Sequence, residues 1–227
     1  MNWLGRFLLS TIGMKMVMAV SGLMLVGFVI VHMLGNLQIF LGPEALNNYA
    51  EALHSNQGIL WVARLGLIGA VLAHIGSAVK LTLQSKSARP VRTRKRTWFD
   101  QRYAVRTMRW GGVILIAFII YHLLHLTIGS AHPDYVACSD NAGELACQVY
   151  HNVISGFKVW PVSIFYIVAQ VFLGLHLTHG LWSMTRTLGQ GNPRWDAPAR
   201  KIAVAIGLLV FVGNCAIPVA VLAGILS

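Results

Sequence analysis

The chain is expected to be an all-α membrane protein with five transmembrane helices and a cytoplasmic N-terminus. Three observations lead there. Of its 227 residues, 56% are hydrophobic and only 11% are charged, about half the charge of an ordinary soluble domain. Five apolar runs are each long enough to cross a hydrocarbon core of about 30 Å, which takes about 20 helical residues. The cations collect in alternate connections between those runs. The runs are unbroken, whereas barrel strands would be segments of about ten residues with alternating polarity.

In chain order the spans cover residues 15–41, 58–83, 108–128, 160–184 and 202–226. The first follows residues 1–9, which lack the small-residue cleavage site of a signal peptide. Between the second and third spans, residues 80–109 hold ten Lys and Arg. Arg6 and the connection 186–201 add cations to the same side, while the connections 42–57 and 130–157 have none. Cytoplasmic connections are the ones that keep Lys and Arg. The N-terminus is therefore expected inside and the C-terminus outside, in a multi-pass protein of the bacterial inner (cytoplasmic) membrane. The net charge of +11 is then mainly a topology signal, open also to anionic lipid or an acidic partner. Nucleic acid is a poor partner for charge pinned against a bilayer.

Cys138 and Cys147 share the second outer connection, where an oxidising compartment would let them close a short disulfide loop. Cys215, inside the fifth span, reads as a small packing residue.

Nine histidines remain to be explained. His54, His132 and His151 fall in or beside the outer connections and read as solvated surface. The other six lie within spans: His32 on the first, His74 on the second, His122 and His125 on the third, His176 and His179 on the fourth. A histidine in hydrocarbon is costly and needs a partner or a function. Interhelical hydrogen bonding suits one such residue better than four successive spans each carrying one. At 1.5 Å per residue, His32 lies roughly 25 Å above Lys15, and His122 and His125 roughly 20 and 24 Å above Arg109. His74 lies roughly 9 Å from Lys80, and His176 and His179 roughly 15 and 10 Å from Arg186. The histidines thus form an outer and an inner level. Two opposed imidazoles at one level suit the axial positions of haem iron, and two levels imply two haems within a four-helix interior. Zinc would need three or four converging ligands, commonly with Cys or carboxylate. Gly27, Gly35, Gly69, Gly76, Gly174 and Gly180 would admit a porphyrin, or equally serve close helix packing. Depth counting slightly favours His125 over His122 and His179 over His176, but helix tilt of about 20° leaves both choices open.

The stretches SGLMLVGFVIVHMLGN, AFIIYHLLHLTIG and FYIVAQVFLGLHLTHGLWSMTRTLG resemble the dihaem cytochrome b subunit of succinate:quinone oxidoreductases, in its form with five helices on one chain. The likeness covers nearly the whole chain, and HxxxGLWS, His176 to Ser183, is its most specific part. The resemblance implies His32 and His122 as ligands of an outer haem b and His74 and His176 as ligands of an inner one. It also implies partners: a flavoprotein with covalent FAD that oxidises succinate, and a subunit with iron–sulfur clusters, both on the cytoplasmic face. This chain would be their non-catalytic anchor in succinate dehydrogenase or fumarate reductase, with a quinone, expected to be menaquinone, as substrate.

Haem propionates need cations or hydroxyls; Lys80, Arg186 and Ser183 are candidates at the inner level and Arg64 at the outer one. His54, Arg64, Glu51 and His125 are the candidates for a quinone site. No Asp or Glu lies within the five spans, which argues against a transmembrane carboxylate path for protons of the kind proposed for some fumarate-reducing relatives. The competing functions are a dihaem b subunit of another quinone-linked dehydrogenase, acting on formate or hydrogen, and a haem-free anchor or transporter.

Overall fold

The computed structural model describes residues 2–88, 99–141, 144–190 and 192–227. The centre of the basic run between the second and third spans, residues 89–98, lies outside them. A short helix α1 (Trp3–Leu9) precedes α2 (Thr11–Asn36). Ser10 separates them: its side chain accepts from Gly13 N at 3.1 Å and so caps α2, in the manner of serine at a helix start. A 3-10 turn, Leu37–Leu41, carries α2 on to Gly42, where φ is +105°. There follow α3 (Pro43–His54), α4 (Gln57–Ser87), α5 (Phe99–His122), α6 (Val149–Lys158), α7 (Trp160–Thr187) and α8 (Pro193–Leu222). Strands β1 (Ser139–Asn141) and β2 (Glu144–Ala146) form a small antiparallel hairpin.

Five helical segments are long and apolar enough to cross a membrane: Thr11–Leu41, Gln57–Ser87, Trp110–Thr127, Trp160–Thr187 and Pro193–Leu222. Their outward faces are apolar and uncovered; Val62, Ile59 and Leu72 on α4 are 74%, 68% and 66% exposed. Only the fifth differs much from the sequence expectation. It begins at Pro193, where proline at the first helical position follows Asn192, whose side chain accepts from Arg194 N at 3.0 Å. Asp196 therefore lies in the first turn of a spanning helix, which the expected boundary at residue 202 had left out.

The strongest packing joins α7 to α8, α2 to α4 and α5 to α7. Gly174 and Gly207 let α7 and α8 meet closely, since a Cβ on Gly207 would lie 2.7 Å from the Gly174 carbonyl oxygen. Inside this contact, Asn214 donates to Gln170 Oε1 at 3.1 Å, a polar pair that satisfies itself.

Both lysine-poor connections form structure rather than open loop. Helix α3 buries Leu46 and Ala50, and α6 buries Ile154 and Phe157. Together with Ile39, Tyr166 and Ile217 they close a core at this end of the spans, here called the cap end. The opposite, basic end carries Lys80 and Arg186. A disulfide closes the base of the hairpin, and two hydrogen bonds fasten its end and the start of α6 to α3. Cys138 and Cys147 form a disulfide, Cys147 N donates to Glu51 Oε1 at 3.0 Å, and Tyr150 N donates to Asn47 Oδ1 at 3.0 Å. Replacing both Cys138 and Cys147 by Ser should loosen this cap by about 2–4 kcal/mol, the usual worth of closing a short loop. Limited proteolysis checks it: cleavage within residues 130–148 should appear where the parent chain resists, and equal resistance would mean that the clasp contributes nothing.

Candidate functional site

Four imidazoles from four different spans face one another in two sets. His32 of α2 meets His122 of α5 with ring centroids 5.8 Å apart and planes at 86°. His74 of α4 meets His176 of α7 at 6.1 Å and 64°. The first set lies toward the cap end and the second toward the basic end. Neither α2 with α5 nor α4 with α7 belongs to the closely packed helix pairs among the described residues. The side chains reach across gaps that the backbones leave open.

Each set has local support. Phe28 stacks on His32 at 5.2 Å, and Phe118 stacks on His122 at 5.7 Å. In both cases the aromatic residue sits one turn before the histidine on the same helix face, which keeps the surroundings apolar. His74 Nδ1 lies 3.1 Å from the Met18 carbonyl oxygen and 3.4 Å from Ser21 Oγ. Donating Nδ1–H to that carbonyl leaves Nε2 as the free basic nitrogen. Gly22 makes the approach possible, because a Cβ there would sit 3.1 Å from His74 Cε1. His176 keeps a buried Nδ1 with no hydrogen-bond partner among the described residues.

The two close histidine pairs separate cleanly. After His122 the helix opens into a π-helical turn, Leu123–Thr127. Three α-helical residues would turn the second imidazole about 60° from the first, and the wider turn adds to that. His125 consequently points into the cap, 2% exposed. There it stacks on His132 at 4.9 Å and 17° and lies 2.9 Å from the Tyr166 hydroxyl. His179 lies against Trp182, its ring centroid 6.0 Å away, and not in the His74 set.

His132, expected at the surface, is a correction: it is 5% exposed. Its Nε2 lies 2.9 Å from the Asn152 carbonyl oxygen, and its Nδ1 accepts from Asp134 N at 3.2 Å. Composition of the connection gave no sign of this; the partner that buries it, α6, was itself unforeseen. His151 is exposed and His54 half-buried. Tyr166, which no sequence argument singled out, touches both His122 and His125 through its hydroxyl. A tyrosine within a span, with a polar tip that must find a partner, was the available signal.

The proposed quinone residues fall into two groups. Glu51 holds the hairpin, and His54 bonds through Nδ1 to the Ala50 carbonyl at 2.8 Å. Arg64 lies over the Trp61 ring at 5.3 Å and acts electrostatically on Tyr135, whose phenol burial pushes up while the Arg64 charge pulls it down. Tyr135 in turn neighbours His132, so Arg64 and His125 flank one aromatic cluster. At the basic end, Ser183 and Arg186 line a cleft of about 350 Å³ with Lys15 and Thr187. Arg186 also pairs with Asp196 at 2.6 Å, and Lys80 Nζ donates to the Leu9 carbonyl at 3.5 Å.

These residues fit a pair of bis-imidazole haems on three counts. Two imidazoles bound through nitrogen at about 2 Å on opposite sides of one metal atom have centroids about 6 Å apart, close to both sets here. His74 has the outer hydrogen bond typical of a metal-ligating imidazole. His176 differs from His74, since its buried Nδ1 has no outer acceptor among the described residues. A Cβ on Gly180, one turn beyond His176 on the same face, would meet nothing within 4 Å, whereas Gly35 is closed by Tyr49 and Gly174 by α8. No family model, curated protein or solved structure matches the chain.

Gly156 faces the stacked histidines, and a Cβ there would lie 2.7 Å from His125 Nε2 and 3.0 Å from His132 Nε2. Gly156→Ala should therefore cost about 1–3 kcal/mol by overpacking, read as a lowered thermal midpoint of the purified chain. An unchanged midpoint would count against the buried stack.

Proposed function

We propose that this chain is the membrane anchor and electron-transfer subunit of a succinate:quinone oxidoreductase, a succinate dehydrogenase or fumarate reductase, and that it holds two b-type haems. The observation that carries the reading is the meeting of four imidazoles from four spans in two facing sets, 5.8 and 6.1 Å between centroids. In this reading α2, α4, α5 and α7 form a haem-holding four-helix bundle, with the N-terminus and the basic end at the cytoplasm of a bacterial inner membrane.

His32 and His122 would hold the outer haem, and His74 and His176 the inner one. Haem bound there supplies one-electron exchange at iron. The protein's part is to orient and to exclude water. The Met18 carbonyl fixes the His74 tautomer, Tyr166 engages His122, and Phe28 and Phe118 keep the outer pair apolar. Lys15, Ser183 and Thr187 at the basic-end cleft, with Arg186, offer cations and hydroxyls to propionates. Lys80 and Arg64 remain the further candidates of the sequence reading. The basic end would dock an iron–sulfur subunit and its FAD flavoprotein. A membrane quinone, menaquinone, would exchange electrons near the cap end, where Arg64 and His125 are the better placed of the proposed residues.

A reduced-minus-oxidised spectrum of the purified chain should display b-type bands from two haems per chain. Substituting Ala for any one of His32, His74, His122 or His176 should remove one haem, while His125→Ala and His179→Ala should keep both. Absence of b-type bands in the parent chain would sink the cytochrome reading. Failure of a succinate-oxidising flavoprotein to copurify would sink the assignment of partners.

A further inference from the structure

Tyr166 stands where the two histidines of the third span part company. Its hydroxyl lies 3.3 Å from His122 Nδ1 and 2.9 Å from His125 Nδ1. The phenol is 5% exposed and is held by the edges and faces of Phe157 at 4.8 Å and Phe118 at 5.2 Å. A phenol has one proton and can accept through its lone pairs, so at most one imidazole accepts from it; because the buried hydroxyl proton itself needs an acceptor, one imidazole donates and the other accepts.

Metal ligation settles which. A neutral imidazole bound through Nε2 carries its proton on Nδ1 and gives that proton to an outer acceptor. His122 then donates to the Tyr166 oxygen, Tyr166 donates to His125 Nδ1, and His125 keeps its own proton on Nε2. His125 cannot readily turn away, since it is 2% exposed and stacked on His132. The chain of bonds therefore has one direction. Each bond in such a chain polarises the next, so His125 makes the phenol oxygen a stronger acceptor than a lone tyrosine would offer. The basic-end set differs: His74 has the Met18 carbonyl and Ser21 for partners.

We propose that Tyr166, backed by His125, is a positioning residue for the cap-end haem, fixing the tautomer of His122 and strengthening its donation to iron. This rests on the haem reading above. A more basic axial ligand favours the oxidised metal, so the arrangement holds that haem's potential down relative to an otherwise equal site.

The test is a potentiometric titration of the purified parent chain and of Tyr166→Phe, following each haem by its absorbance and its low-spin resonance signal. One haem should become easier to reduce, its reduced-to-oxidised ratio at a fixed ambient potential rising several-fold, while the other stays unmoved. If Tyr166→Phe does not assemble, His125→Leu leaves the phenol in place and removes its acceptor; it should move the same haem in the same direction by less. Two haems whose potentials are both unmoved, or shift equally, in the variant that assembles would overturn the proposal alone. A parent chain without haem would overturn the reading on which it rests, and the proposal with it.

Discussion

Hydrocarbon offers a polar group no hydrogen bond, and so each one inside a span must find its partner within the protein. That constraint organises the interior. Ser21 returns its proton to the Val17 carbonyl at 2.6 Å, and Ser163 gives its own to Phe157 O at 2.6 Å. Gln170 and Asn214 answer each other across α7 and α8. His74 turns to a backbone carbonyl of α2, and His122 and His125 share one phenol. Against this background two buried atoms without a partner among the described residues stand out, Gln84 Oε1 and His176 Nδ1. His176 belongs to one of the two sets where imidazoles from opposite helices face each other.

The same constraint gives the helix contacts their meaning. Helices α2 and α4 pack together, and α5 packs on α7. The facing imidazoles join one packed pair to the other, His32 to His122 and His74 to His176. The histidine sets thus lie on the seam between two helix pairs, where a flat apolar group would meet rings rather than backbone. Glycine divides along the same line. Gly174 and Gly207 draw helices together, while Gly180 leaves space beside His176.

Much of this was legible in the sequence because hydrophobic length is a strong and local signal. Five spans could be placed, and counting rise per residue put His32 at one level with His122 and His125 and His74 at another with His176 and His179, leaning toward His125 and His179. Count alone could not separate His122 from His125, whose side chains part at a π-helical turn, Leu123–Thr127, and backbone widening leaves no mark in composition. The start of α8 was missed for a different reason. Asp196 and Arg194 look like loop, yet Asn192 and Pro193 begin a helix before the apolar run does. The cap was the least legible part. Its helices α3 and α6 are short and half-polar, and the burial of His132 depends on α6 arriving from later in the chain. The use of Tyr166 was likewise invisible, since a hydroxyl shared by two imidazoles is a fact of three dimensions.

The fastening of the hairpin to α3 has a consequence for how the chain is made. A ribosome delivers α3 long before residues 147 and 150 exist, as domains form in order of synthesis. Until then the Glu51 carboxylate and the Asn47 amide lack the backbone N–H groups that Cys147 and Tyr150 later give them. Those two bonds can form only once the chain has run past the third span to residue 150. The cap therefore cannot close until the second outer connection has been made, late in the synthesis of the chain.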